Sequence, residues 1–223
     1  MIAVCLLTCG REHLTERTVE TFAAHNKGRQ DLVRLHADCS SGTPTLIGDY
    51  NTNVILANDG GFGTIHAPAE RVPQMVSFRQ LIEEAALRGA EFVLWLENDW
   101  ESVAPIPELD WLRNFRDLDS IVTWRMFGAR KMRENGPRAM AGEHRIGTKD
   151  KVDWRETPGS GWEFGLTHWA AGGSIATLAH LKSQIHRWRL KDVITAKNDL
   201  RTMRPVKNLM FHIGDETTDG FQG

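Results

Sequence analysis

Cysteine is scarce in this chain. Cys5, Cys9 and Cys39 are the only three in 223 residues, an odd number without CxxC spacing, which argues against a disulfide framework or a zinc site. They read as small buried or loop-edge thiols in a reducing cytosol. Long hydrophobic runs are missing too. No stretch approaches the roughly 18 apolar residues of a bilayer span, and Met1 to Cys9 lacks the basic lead and cleavage site of a secretory signal. No membrane span is expected, and the expected location is cytoplasmic. A Walker-type phosphate loop, a GxGxxG fingerprint after the first strand and a GxSxG elbow are all absent, which weakens three common α/β functions at once. Nor is there an internal repeat, a low-complexity tract or a linker that would divide the chain.

What is present is the balance of an ordinary globular protein, 41% hydrophobic and 25% charged, in a length that suits one α/β domain with an elaborated half. The net charge of -2 conceals an asymmetry. Residues 1–112 carry 8 basic and 16 acidic side chains, whereas residues 113–223 carry 19 and 13, so the halves stand at -8 and +6. An acidic partner approaching the second half and a merely solvated excess of charge both fit this split.

The apolar run Ile2 to Leu7 predicts a buried parallel strand. Leu14, Thr18, Val19, Phe22 and Ala23 repeat at helical spacing, with Gly28 as a stop. Leu32 to His36 and Val54 to Ala57 are expected as further strands, separated by Gly, Ser, Thr, Pro and Asp turn formers. Phe78, Leu81, Ile82, Ala85 and Ala86 line one face of a helix ending near Gly89, and Phe92 to Leu96 form the next buried strand. The alternation is that of βαβ units, giving a mostly parallel sheet whose ligands bind beyond the strands' carboxyl ends. Asp38, Asp59 and Asp99 are expected at such ends. Ile121 to Met126 is another strand candidate, and residues 128–161 read as a long polar loop of the kind that serves as a substrate-ordered lid. Leu178, Leu181, Ile185 and Trp188 mark an amphipathic helix after Gly172-Gly173, and Asn208 to Ile213 a late strand.

The strongest chemical feature is Val93 to Glu101, an apolar strand running directly into Glu97, Asp99 and Glu101. One or two carboxylates, with phosphate oxygens and water, complete the octahedron of Mg²⁺ or Mn²⁺, and such an ion neutralises charge on a departing diphosphate. Acidic residues capping a loop are the competing explanation.

Over most of its length the chain resembles the family 2 glycosyltransferases and their relatives of the GT-A fold. Ile2 to Leu7 with Thr8-Cys9-Gly10-Arg11 and the following helix resembles the opening strand and nucleotide-contacting loop, which implies roles for Thr8 and Arg11. Asn58-Asp59-Gly60-Gly61 resembles the Asp-Gly loop, and Glu97-Asn98-Asp99 the DxD motif, with Glu in place of the first Asp. The resemblance implies Asp99 as a metal ligand and Glu97 beside the donor. Asp38 matches the residue that contacts the nucleotide base, and Arg79 a cation on the donor side. Lys197-Asn198-Asp199 resembles the Glu-Asp pair whose second member is the base of inverting enzymes, and His212 before Gly214 matches a third metal or phosphate contact. Trp162-Glu163 and Trp169 are aromatic candidates for the acceptor side, with Glu163 a reserve base. Each of these residues also has an ordinary structural reading as a turn, cap, packing or surface group.

The implied architecture is one Rossmann-like GT-A domain over 1–223, with a nucleotide-sugar-binding half at 1–112 and an acceptor-side half at 113–223. The implied activity is metal-dependent transfer of a sugar from a nucleoside diphosphate to an acceptor hydroxyl, with inversion. The acceptor is a glycan, a small molecule or a hydroxymethylated DNA base, the last requiring base flipping. A sugar-nucleotide nucleotidyltransferase is the alternative enzyme, although Thr8 to Arg11 has too few glycines for its phosphate loop. A non-catalytic nucleotide-sugar or glycan-binding module is the alternative outside enzymes.

Overall fold

A computed structural model describes residues 1–39, 47–68, 72–127, 154–167, 172–184 and 200–213, with the backbone alone at 47–51. The first half alternates as the apolar runs demand: β1 (Ile2–Thr8), α1 (Glu12–His25), β2 (Leu32–Asp38), α2 (Ile47–Asp59), β3 (Gly63–His66), α3 (Gln74–Leu87) and β4 (Phe92–Glu97). After it come β5 (Trp100–Ser102), α4 (Leu109–Asp119), β6 (Thr123–Arg125), β7 (Arg155–Thr157), β8 (Trp162–Thr167), β9 (Ser174–Thr177), α5 (Leu178–Gln184), β10 (Leu200–Pro205) and β11 (Met210–His212). Nine strands form one sheet in the order β3-β2-β1-β4-β9-β6-β10-β8-β7, and β5 and β11 form a separate pair.

The core strands β3, β2, β1 and β4 are mutually parallel. The sheet turns mixed at β9, which runs antiparallel to both β4 and β6. Because successive side chains of a strand point to opposite faces, β1 divides cleanly. Ile2, Val4 and Leu6 join Phe22, Phe62 and Trp124 in one core. Ala3, Cys5 and Leu7 join Phe78, Leu81 and Trp95 in the other. Burial pushes the Cys5 thiol far above its ordinary range, so it packs as a small hydrophobe. This sheet between helix layers is the α/β architecture expected from the sequence.

One expected strand is corrected. Val54 to Ala57 lies inside helix α2, where Asn53 and Ala57, four residues apart, are both buried while Ile55 is 58% exposed. A four-residue apolar run does not distinguish the two periodicities. The correction moves Asp59 as well. It ends α2, exposed, where the chain has returned toward the amino ends of the strands, and not at a strand's carboxyl end. Helix α4 was not foreseen, and neither were β3, β5, β7 and β9, whose three or four residues give no readable period; β6 and β11 lie within the strands expected over Ile121 to Met126 and Asn208 to Ile213. Among the described residues no helix is long and apolar enough to cross a membrane. Of the polar segment expected over 128–161, residues 128–153 lie outside the described residues.

Candidate functional site

The carboxyl ends of β1, β2 and β4 meet in register: Leu7 lies opposite Glu97 and Thr8 opposite Asp38. Beyond β1 the chain must turn at once into α1, and it does so through Gly10 and Arg11, both left-handed at φ 63 and φ 55. For a residue with a Cβ this conformation costs about 1–2 kcal/mol, so something must hold Arg11 there. Its guanidinium Nη2 donates to Asn98 Oδ1 and to Asp99 Oδ2, both at 3.2 Å. Asn98 holds the same turn from the other side, its amide donating to the Gly10 carbonyl at 2.7 Å and to Thr15 Oγ1 at 3.2 Å.

Asp99 is 5% exposed and is approached from the C-terminal end of the chain as well. Strand β11 pairs with β5 so that His212 stands opposite Trp100, and the Ile213 amide donates to the Asp99 carbonyl at 2.8 Å. The outcome is His212 Nε2 at 3.2 Å from Asp99 Oδ2. Three side chains distant in sequence, Arg11, Asp99 and His212, thus converge on one carboxylate oxygen. Trp100 forms the floor. It is fully buried, stacked on Phe127 at 5.3 Å and edge-on to the His212 ring at 5.4 Å. Gly172 and Gly173, both at positive φ, let the indole lie against bare backbone.

Glu97 accepts a hydrogen bond from the Gln74 amide at 3.1 Å, at the start of α3. Arg79 lies further along that helix and is half-buried. Asp38 is fully buried at the end of β2. Its Oδ2 accepts from the Thr8 hydroxyl at 2.5 Å and from the Asn53 amide at 3.4 Å. Behind Thr8 lies His36, with Nε2 2.9 Å from Thr8 Oγ1 and Nδ1 2.9 Å from Thr64 Oγ1. Burial lowers the His36 pKa to about 3, so the ring is neutral.

Glu163 is elsewhere. It sits on β8, four strands across the sheet from β4, about 19 Å away at the usual strand spacing of roughly 4.8 Å. There it accepts from Arg204 Nε at 2.6 Å. Asp199 and Trp169 lie outside the described residues. Sequence reading missed His36 and Thr64, and gave no role to Asn98 within the Glu97-Asn98-Asp99 motif or to the Gly172-Gly173 seat. Each acts through a partner distant in the chain.

An octahedral ion with ligands near 2.1 Å has adjacent ligands about 3 Å apart, and the 3.2 Å between Asp99 Oδ2 and His212 Nε2 fits that spacing. A carboxylate and an imidazole also suit Mn²⁺ chemically. Among the described residues no group of three or more His, Cys, Asp or Glu side chains is arranged to hold a metal. A protein ligand set of two would therefore need donor phosphates and water to complete it.

No protein-family model matches the chain, and no curated protein sequence matches it. Solved structures do. Staphylococcus aureus TarS matches 95% of this chain with a TM-score of 0.54 at 14% identity, over 36% of the TarS chain. Its 1–349 fragment matches 95% of this chain at a TM-score of 0.54 and 15% identity, over 60% of that fragment. The fold is that of the matching part of TarS. The 1–349 fragment in complex with UDP-GlcNAc matches all of this chain with a TM-score of 0.51 at 14% identity, over 61% of its own length. The chain thus spans from about a third to three fifths of the TarS structures it matches, and at these identities the likeness is one of fold.

Proposed function

We propose that this protein transfers a sugar from a nucleoside diphosphate to an acceptor hydroxyl, with Asp99 and His212 holding a divalent cation, Mn²⁺ or Mg²⁺, against the donor's diphosphate. The convergence of Arg11, Asp99 and His212 on one point beyond the carboxyl ends of a parallel sheet carries the reading. That crevice is where open α/β sheets bind ligands. The presence of UDP-GlcNAc in the TarS fragment supports the choice of donor class.

In this reading Asp38 receives the nucleotide base with Thr8 behind it, Glu97 and Arg79 flank the donor, and Arg11 turns its guanidinium from Asp99 toward the diphosphate once the donor is bound. A cation held by Asp99 and His212 would supply charge neutralisation at the leaving diphosphate. Asp199 takes the proton of the acceptor hydroxyl as that oxygen forms its bond to the anomeric carbon. The bond from that carbon to the phosphate oxygen breaks on the opposite face, which inverts the centre. Asp59, exposed at the far end of α2, has no role in this scheme, and Glu163 is already engaged by Arg204.

Acceptors for testing include a hydroxymethylated DNA base, which the +6 charge of residues 113–223 favours. Binding of that acceptor should weaken steeply with salt, because phosphate contacts release counterions.

The test is calorimetric titration of nucleoside diphosphates and their sugars with and without Mn²⁺. Asp99→Ala should abolish the Mn²⁺-dependent part of the affinity; donor affinity unchanged in that variant would remove the metal assignment. Donor binding without hydrolysis or transfer over a broad acceptor panel would point instead to a binding module.

A further inference from the structure

We propose that the buried chain Thr64–His36–Thr8 is a positioning device that sets Asp38 for the donor's base, so that nucleotide selectivity depends on His36 although that ring is sealed from solvent. The inference rests on the reading of Asp38 as the base contact and extends that site to residues behind it.

The argument is a proton count. A carboxylate accepts and never donates, so the hydrogen between Thr8 and Asp38 belongs to Thr8. With its own proton committed, Thr8 Oγ1 can only accept from His36, which places the ring hydrogen on Nε2. The neutral ring then has a lone pair on Nδ1, and Thr64 fills it with its hydroxyl proton. The Thr64 hydroxyl has a second acceptor within reach, Asn58 Oδ1 at 3.4 Å, but Nδ1 at 2.9 Å is the shorter contact and takes the proton. The chain therefore runs in a single direction from β3 across β2 to β1 and ends on Asp38.

Without His36, the Thr8 hydroxyl would be free to rotate, and Asp38 Oδ2 would lose a directed donor at 2.5 Å. Thr8 and His36 are both fully buried, so water does not replace the partner that either would lose. An accept-only carboxylate held in one orientation suits a base that presents a ring N–H, as uracil and guanine do. Cytosine and adenine present a ring acceptor at that edge and can offer a carboxylate only their exocyclic amine, so they should bind more weakly.

The full chain is titrated with UDP, GDP and CDP in Mn²⁺ by calorimetry, comparing Thr8→Val, Thr8→Ser, His36→Met, His36→Gln and Asp38→Ala with the parent. Thr8→Val and His36→Met should lower affinity for the preferred nucleotide about tenfold, the worth of one hydrogen bond to a charged group. They should also cut its preference over CDP by a similar factor. Thr8→Ser and His36→Gln keep a donor at the same reach and should retain both. A loss of packing alone would weaken all three nucleotides alike. If His36→Met does not fold, the Thr8→Val and Thr8→Ser pair carries the test. Parental selectivity in a folded Thr8→Val variant overturns the proposal. Parental selectivity in Asp38→Ala instead overturns the base-contact reading on which it rests.

Discussion

Replacing Gly173 with Ala should damage both stability and the candidate site, and the size of the damage follows from two contributions. Gly173 is at φ +59, where an L-residue is strained by about 1–2 kcal/mol. A Cβ there would also lie 2.5 to 2.8 Å from three carbons of the Trp100 ring, well inside contact distance. The indole has nowhere to retreat, being fully buried between Phe127 and His212. Overpacking of this kind costs about 1–3 kcal/mol, so the total is about 2–5 kcal/mol, a large share of the roughly 5–15 kcal/mol that holds a typical domain together. Gly89→Ala is the control. Its φ is +74, but nothing lies within 4 Å of the added carbon, so it should show the backbone contribution alone. Urea unfolding of both variants isolates the clash as their difference, and Mn²⁺-dependent nucleotide affinity reports whether Asp99, the residue before Trp100, has moved. A Gly173→Ala midpoint no lower than that of Gly89→Ala would refute the reasoning about the Trp100 seat.

The base assignment predicts that Asp199→Asn retains donor affinity while transfer falls by at least about a hundredfold, the usual contribution of a general base; full transfer activity would direct attention to Glu163. Glu91 gives a test on the opposite side of the molecule. Hydrogen bonds from Arg113, the N-terminal amine and Arg116 lower its pKa from 4.5 to about 2. A group depressed in the folded state contributes stability above its unfolded pKa and loses it as pH falls through the folded one. Glu91→Gln should therefore be less stable than the parent at pH 7, by about 1 kcal/mol after allowing for solvent screening. The gap should close between pH 4.5 and 2, read as urea midpoints across that window. A gap constant with pH would refute the linkage.

Much of the first half was legible because its strands are buried on both faces and its helices on one, so that composition and period carry the same message. Ile2–Thr8, Glu12–His25, Gln74–Leu87 and Phe92–Glu97 all follow from that agreement. Where the two signals separate, the reading failed. The apolar run Val54 to Ala57 was too short to show its helical period, and the acidic Asp59 was carried with it to the wrong end of the sheet. Strands of three or four residues such as β5, β7 and β9 exist because a partner strand completes them, and no local pattern records the partner.

The candidate site divides in the same way. By itself the sequence determined that carboxylates follow a buried strand at Glu97 and Asp99, since the hydrophobic run and the acidic cluster are adjacent along the chain. It also determined that Thr8 and Arg11 follow another. That Arg11 and His212 meet at the same oxygen of Asp99, or that His36 and Thr64 stand behind Thr8, was decided only by tertiary structure. Those contacts join residues 28 to 113 positions apart, and strand order and register in the sheets, to which each residue adds only one small local preference, bring them together.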